Sequence, residues 1–161
     1  MEELTRQVGV VTLREATWRD LRTIHILEKI CFGRDAWPWF DVLAALLYPE
    51  TVRILASISD EVIGFVFGDR RRRKGVGWIA SIGVHPRVRR QGIGRLLMES
   101  CEQELGMKKV RLALRPSNHA AKSLYLKTGY VETDLWKRYY WNGEDALVME
   151  KEIDLKSPST H

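Results

Sequence analysis

Arg87, Arg89, Arg90 and Arg95 surround Gly92 and Gly94, directly after the apolar run Trp78-Ile79-Ala80-Ser81-Ile82-Gly83-Val84. Glycines at the start of a helix let another molecule come close to the backbone, and first-turn N–H groups have no intrahelical partner. A helix N-terminus of this kind, ringed by guanidinium groups, suits an anion and most naturally a phosphate. The elements that must hold it in place are legible on either side. Trp78 to Val84 is apolar on both alternating faces, which predicts a central strand buried on both sides. Ile93, Leu96, Leu97, Cys101 and Leu105 recur at helical spacing up to Gly106, which predicts a helix packed on the sheet.

Two familiar phosphate motifs do not fit. A P-loop needs Gly-x-x-x-x-Gly-Lys-Ser/Thr, and the chain has no such run. A dinucleotide fingerprint needs a third glycine and a later acidic residue, where this chain has Arg95 and Ala113. The run Arg89-x-x-Gly92-x-Gly94 instead resembles the acetyl-CoA signature of the GNAT acetyltransferase superfamily. A second stretch, Asn118-x-x-Ala121-x-x-Leu124-Tyr125-x-x-x-Gly129-Tyr130, is similar to that superfamily's second block. Asn118, Ala121 and Tyr125 are spaced to share one face of a short helix. The closing stretch from Lys137 to Met149 looks more narrowly like protein N-terminal acetyltransferases, the bacterial ribosomal-protein alanine enzyme and archaeal relatives among them.

The resemblance implies an α/β (α+β) fold: a mixed, mostly antiparallel seven-stranded sheet, a parallel fourth and fifth strand splayed around the cofactor, and about four helices. It also implies acetyl-CoA as cofactor. Ile82, Gly83 and Val84 would offer backbone groups to the pantetheine arm, and Arg89, Arg90, Gln91, Gly92, Ile93, Gly94 and Arg95 would hold the pyrophosphate. Asn118 would contact the pantetheine or acetyl end, with Tyr125 near the sulfur as general acid. Tyr139 and Tyr140 would hold the backbone of the acceptor peptide, although strand alternation is expected to turn one of them into the core. Trp37, read from its loop rather than from the resemblance, either covers the core or lines the wall of the acceptor's pocket.

An amine attacks a thioester only when neutral. An α-amino group of pKa about 8 is partly neutral near pH 7, whereas a lysine at about 10.4 needs more help. The site must position the amine, take a proton, stabilise the oxyanion and protonate the leaving thiolate. In the bacterial ribosomal-protein enzymes a fifth-strand glutamate takes the proton, in a Leu-Glu-Val-Arg context. This chain has Leu112-Ala113-Leu114-Arg115 there. The archaeal pattern places an acid between the first two helices, and Asp35 is the residue at that place, either as proton acceptor and substrate contact or as a plain turn residue.

The remaining elements follow in order. Val8 to Arg14 reads as a first strand, followed by a helix capped by Thr17 with Asp20 and ended by Gly33. Leu21, Ile24, Leu27 and Cys31 form its apolar face. A second helix spans about Phe40 to Tyr48. Val52–Ile58 and Val62–Gly68 form a hairpin, Lys109–Leu114 a fifth strand parallel to the fourth, and Val131–Trp141 with Ala146–Ile153 a closing hairpin around Asn142-Gly143.

At 161 residues and 45% hydrophobic composition, the chain reads as one domain over residues 1–154, with a disordered tail over 155–161. It lacks a membrane-length apolar run, and Met1-Glu2-Glu3 has no signal-peptide character, so a cytoplasmic protein is expected. Cys31 and Cys101 lie in helical apolar patterns, and the four histidines are not spaced with them as metal ligands, so no metal site is expected. The charge of +5 includes Arg70-Arg71-Arg72-Arg73-Lys74, read as a solvated loop rather than a specific nucleic-acid site. The acceptor is expected to be a protein or peptide N-terminus, a ribosomal protein among the candidates. Two alternatives stay open: a small-molecule amine or lysine acetyltransferase on the same scaffold, and a non-catalytic acyl-CoA-binding module.

Overall fold

In the computed structural model, which describes residues 10–155, seven strands form one sheet. They are β1 (Val11–Glu15), β2 (Thr51–Ile58), β3 (Glu61–Arg71), β4 (Val76–Val84), β5 (Lys109–Leu114), β6 (Val131–Trp136) and β7 (Ala146–Glu152). Their order is β1-β2-β3-β4-β5-β7-β6, so β4 is the middle strand, as its two-sided apolar pattern predicts. Every neighbouring pair is antiparallel except β4 and β5. Four α-helices cover the sheet among the described residues: α1 (Leu21–Phe32), α2 (Trp39–Leu47), α3 (Ile93–Leu105) and α4 (His119–Lys127).

Period-2 alternation along the strands splits the core in two. Leu55, Phe65 and Phe67 face Ile24 and Leu27 of α1 and Val42 and Leu46 of α2. Val52, Ile54, Ala56 and Val66 face Leu97, Met98, Cys101 and Leu105 of α3, together with Tyr125 of α4. The approach of α3 is close. A β-carbon on Gly68 would stand 2.6 Å from Cys101 Sγ, so β3 carries a bare backbone where the helix crosses it.

Three sequence expectations shift. Thr17 caps a single 3-10 turn, Trp18–Asp20, before α1 begins, and its N–H donates to the Asp20 carboxylate at 2.8 Å. The basic run is only partly loop, since β3 extends through Arg71. Arg70 donates to the Glu104 carbonyl, Arg71 lies over the Trp78 ring, and Arg72 pairs with Glu50. The closing hairpin is also shorter on its first arm than the sequence suggests. β6 stops at Trp136 because the Asp145 carboxylate accepts from Arg138 N–H, Arg138 has a φ of 50°, and Tyr140 and Glu144 close a compact loop. Tyr139 and Tyr140 therefore lie on a loop, where strand alternation does not apply.

Val8 and all of the tail except Leu155 lie outside the described residues. Among the described residues no helix is long and apolar enough to cross a membrane, and no group of three or more His, Cys, Asp or Glu could hold a metal ion.

Candidate active site

β4 and β5 pair only from Val76–Lys109 to Trp78–Arg111, and then both continue without pairing to each other. From Ile79 onward the β5-facing edge of β4 therefore has no ladder partner. A cavity of about 180 Å³ opens in this fork, between Ile79–Ile82 on one side and Leu112–Arg115 on the other. Side chains from α1, the following turn, α4 and the β6–β7 loop close it.

A β-bulge shapes the β4 wall. Phe67 stands opposite Ser81 and Gly68 opposite Ile79, which leaves Ala80 as the extra residue. Ile79 and Ile82 join the core beneath α3, Ala80 packs on the α1 side, and Ser81 is turned toward α1.

At the far end of β4 the chain makes the turn that the sequence marks for a phosphate. Gly92 caps α3 with a φ of 80°, and the start of the helix lies between β4 and α4. A β-carbon on Gly94 would meet Leu124 at 3.4 Å and Val84 at 3.8 Å. The N–H groups of Gln91 to Arg95 donate to no protein oxygen among the described residues. Arg89 folds back, its Nε donating to the Val84 carbonyl at 2.9 Å, and Arg95 pairs with Glu99 one turn on. Arg90 has a φ of 63°, and its guanidinium makes no hydrogen bond or ion pair among the described residues.

Around the cavity the structure brings together Asp35, Trp37, Ile82, Asn118, Tyr125 and Tyr140 of the residues singled out from sequence. Gly83, Val84 and the Arg89–Arg95 turn lie beyond it, and Tyr139 is an exposed residue packed on Trp136 and Tyr140. Asn118 caps α4, its Oδ1 accepting from Ala121 N–H at 3.2 Å. Tyr125 is buried against Tyr130, with ring centroids 6.0 Å apart, and its hydroxyl has no protein partner among the described residues. Burial pushes the Tyr125 phenol up to about 12, with Tyr140 adding to the effect, so it carries its proton at neutral pH.

Asp35, read from sequence as a proton acceptor or a turn residue, is held by three donors. Arg115 Nε donates to its Oδ2 at 2.6 Å, Arg115 Nη2 to its Oδ1 at 2.8 Å, and Trp141 Nε1 to Oδ1 at 2.9 Å. These bonds, the guanidinium above all, hold the carboxyl below the usual carboxylate range. Bonds of this kind favour the charged form and so lower the carboxylate's affinity for a proton. Arg115 also reaches Asn142 and Glu144 and lies over the Tyr140 ring at 4.1 Å, so one guanidinium ties β5, the turn after α1 and the β6–β7 loop together.

Two residues missed from sequence face the same cavity. Glu28 on α1 is fully buried, with Ser81 Oγ donating to its Oε1 at 2.6 Å and Trp37 N–H to its Oε2 at 3.2 Å. Burial raises its pKa, against the lowering effect of those two bonds. The signal was present in the spacing: Glu28 is one turn from Ile24 and three residues before Cys31, on the apolar face of its helix.

The family model described as Acetyltransferase (GNAT) family matches residues 11–130. NAA10, the catalytic subunit of the N-terminal acetyltransferase A complex of Arabidopsis thaliana, is 28% identical over 159 residues, covering 94% of this chain and 82% of that protein. An N-alpha-acetyltransferase of Sulfolobus acidocaldarius is 31% identical over 151 residues, covering 85% and 89%. The crystal structure of the ribosomal-protein-S18-alanine N-acetyltransferase from Escherichia coli superposes with a TM-score of 0.82 at 23% identity, covering 94% of this chain and 99% of that one, a likeness of fold. A forked β4/β5 pair, a phosphate-suited turn into α3 and a family match over three-quarters of the sequence agree: the chain belongs to the GNAT acetyltransferase family.

Proposed function

We propose that this acetyltransferase moves the acetyl group of acetyl-CoA to the α-amino group of a protein or peptide N-terminus, by direct transfer with both substrates bound. Acetyl-CoA is the family's acetyl donor, and it supplies an activated acyl carbon on a thiolate leaving group. The residues fit it. Amide N–H groups of Gln91 to Arg95 that donate to no protein oxygen among the described residues, beside Arg90, suit a diphosphate, and the edge of β4 that β5 leaves at Ile82, Gly83 and Val84, where Arg89 Nε holds the Val84 carbonyl, suits the amides of an extended arm. Asn118 keeps its amide nitrogen uncommitted at the mouth of α4.

Tyr125 is the proton donor to the leaving sulfur. Its raised pKa keeps it protonated, and its hydroxyl bonds to no protein group among the described residues. Asp35 acts as a latch on Arg115 rather than as a base, and with Trp37 and Tyr140 it forms the acceptor's end of the cavity. Tyr139, exposed beside Tyr140, extends that surface along the incoming peptide. The observation that carries this reading is the cavity itself, with the phenol at one wall and the latched loops at its mouth. The named N-terminal acetyltransferases among its relatives support the same acceptor, and a ribosomal protein is one candidate.

Mass spectrometry of peptides incubated with enzyme and acetyl-CoA tests it. One acetyl group should appear on the α-amine of peptides with open N-termini, a ribosomal S18 N-terminal peptide included. Equal rates on N-terminally blocked lysine peptides or on polyamines would overturn the assignment.

A further inference from the structure

The strongest unassigned chemistry is a carboxylate with no cation. Among the described residues Glu28 accepts one hydrogen bond at each oxygen, from Ser81 and from Trp37, and no Lys, Arg or His pairs with it. A buried carboxylate without a cation costs free energy, so its retention in a cavity wall asks for a reason. Asp35, the other carboxylate lining the cavity, is neutralised by Arg115. Ala113 offers that cavity only a methyl group.

The order of contacts gives the reason. Glu28 is sealed from solvent, while Ser81 is half-buried and lines the cavity, and its hydroxyl points its proton at Glu28 Oε1 over 2.6 Å. Ser81 can do this because of the bulge at Ala80, since unbroken alternation would turn it toward α3. Trp37 N–H holds Oε2, which leaves Oε1 aimed at the hydroxyl.

We propose that Glu28 and Ser81 together take the proton from the acceptor amine, Ser81 Oγ receiving it from nitrogen as its own hydroxyl proton passes to Glu28 Oε1. The inference rests on the reading above of an α-amine acceptor. The nitrogen enters neutral and uses its lone pair to form the C–N bond. The proton it then sheds moves to Ser81, the Ser81 proton moves to Glu28, and the pair ends as an intact hydroxyl and a neutral carboxylic acid. The leaving sulfur draws its proton from Tyr125; after product leaves, Glu28 gives its proton to water and Tyr125 regains one from water, which restores both groups. The raised affinity of a desolvated carboxyl for protons suits it to this work better than the depressed Asp35. The other ionisable groups around it are Cys31 on α1, raised by burial and lowered in part by Arg89, together with Asp35, Arg115, Tyr125 and Tyr140.

The test compares wild type, Glu28→Gln and Ser81→Ala with one open-N-terminus peptide, reading kcat against pH, acetyl-CoA affinity by calorimetry, and melting temperature. Glutamine keeps the acceptor for Trp37 N–H and the shape of the side chain, so a folding role alone would survive it. The expected result is a fall in kcat of about 100-fold or more in both variants, the usual worth of a general base. The part of the wild-type acid limb that Glu28 sets should vanish in Glu28→Gln, leaving the limb that protonation of the α-amine itself imposes below about pH 8, with acetyl-CoA affinity unchanged. A folded Glu28→Gln protein that keeps kcat and the whole acid limb, or that changes KM alone, overturns the proposal. Full kcat in Ser81→Ala overturns the relay, and this variant decides the matter if Glu28→Gln does not fold. A wild-type enzyme that binds acetyl-CoA yet acetylates no peptide sinks the N-terminal reading instead, a separate outcome.

Discussion

Arg115, the residue after β5, and Asp35, in the 3-10 turn after α1, are joined by two N–H···O bonds of 2.6 and 2.8 Å across a sequence gap of 80 residues. The pair is mostly shielded, with 16% and 28% of the two side chains exposed. Asp35→Asn should keep the shape and weaken the grip, costing about 1–2 kcal/mol for a charge-assisted bond that solvent partly screens. Because the folded-state pKa of Asp35 is lowered, its contribution is complete above the unfolded value of about 3.9 and is lost as the pH falls through the folded value. The melting temperatures of wild type and Asp35→Asn should therefore differ at pH 6 and converge below about pH 4. On peptide, KM should rise more than kcat falls, since the variant loosens the mouth of the cavity and leaves Tyr125 in place.

Much of this site was legible in the residues themselves. Gly92 and Gly94 among arginines marked the turn into α3, and the Asn118, Ala121 and Tyr125 spacing marked α4, because both signals are local and depend on backbone geometry or helical period. Asp35 was found, but the bonds that hold it were not. Its partners, Arg115 and Trp141, are 80 and 106 residues away, and no local pattern pairs them. Glu28 was overlooked because a helix reading by apolar stripe skips a charged residue on the buried face. Ser81 was hidden by the bulge, which breaks the strand period that would have assigned its direction. The early end of β6 came from Asp145 capturing the Arg138 amide, a side-chain-to-backbone bond that no strand pattern records.

Tyr125→Phe isolates the proposed proton donor. The ring's packing on Tyr130 survives, and the hydroxyl that is lost bonds to no protein group among the described residues, so stability should hold to within about 0.5 kcal/mol. Turnover should fall by about 10²–10⁴-fold, the range for removing a general acid. Acetyl-CoA affinity by calorimetry should stay as in wild type. Unchanged kcat in a folded Tyr125→Phe protein would remove the phenol from the mechanism.

Two glycines separate binding from packing. At Gly92 a β-carbon meets nothing within 4 Å, but the φ of 80° is one that L side chains rarely adopt. Gly92→Ala should therefore cost about 1–2 kcal/mol of backbone strain and weaken acetyl-CoA binding, because relaxing the strain turns the Gln91–Arg95 amides. At Gly68 a β-carbon would lie 2.6 Å from Cys101 Sγ, in the core and away from the turn. Gly68→Ala should destabilise by about 1–3 kcal/mol through overpacking, with the surviving folded protein binding acetyl-CoA normally. Equal effects of the two substitutions on acetyl-CoA affinity would count against the α3 turn as the binding element.

The last prediction concerns a buried ion pair behind the site. Glu102 on α3 is only 5% exposed at its side chain, and it accepts from Lys151 Nζ at 3.1 and 3.3 Å and from the Tyr130 hydroxyl at 2.9 Å. The side chain of Lys151, a residue of β7, is thereby fixed with its ammonium over the Tyr130 ring at 5.6 Å. Lys151→Met keeps the apolar stem and deletes the charge, leaving Glu102 buried with a lone phenol for support. Breaking such a pair from one side costs about 3–5 kcal/mol. The surface pair Arg95–Glu99, more than half exposed at both side chains, is the internal control: Arg95→Ala should move stability by well under about 1 kcal/mol. Adding Glu102→Gln to Lys151→Met removes the stranded charge and should recover part of the loss, so the two substitutions should be far from additive. Urea denaturation of five proteins, wild type, Lys151→Met, Glu102→Gln, the double variant and Arg95→Ala, measures this directly, and a Lys151→Met protein as stable as Arg95→Ala would mean that Glu102 is not held as a charged group.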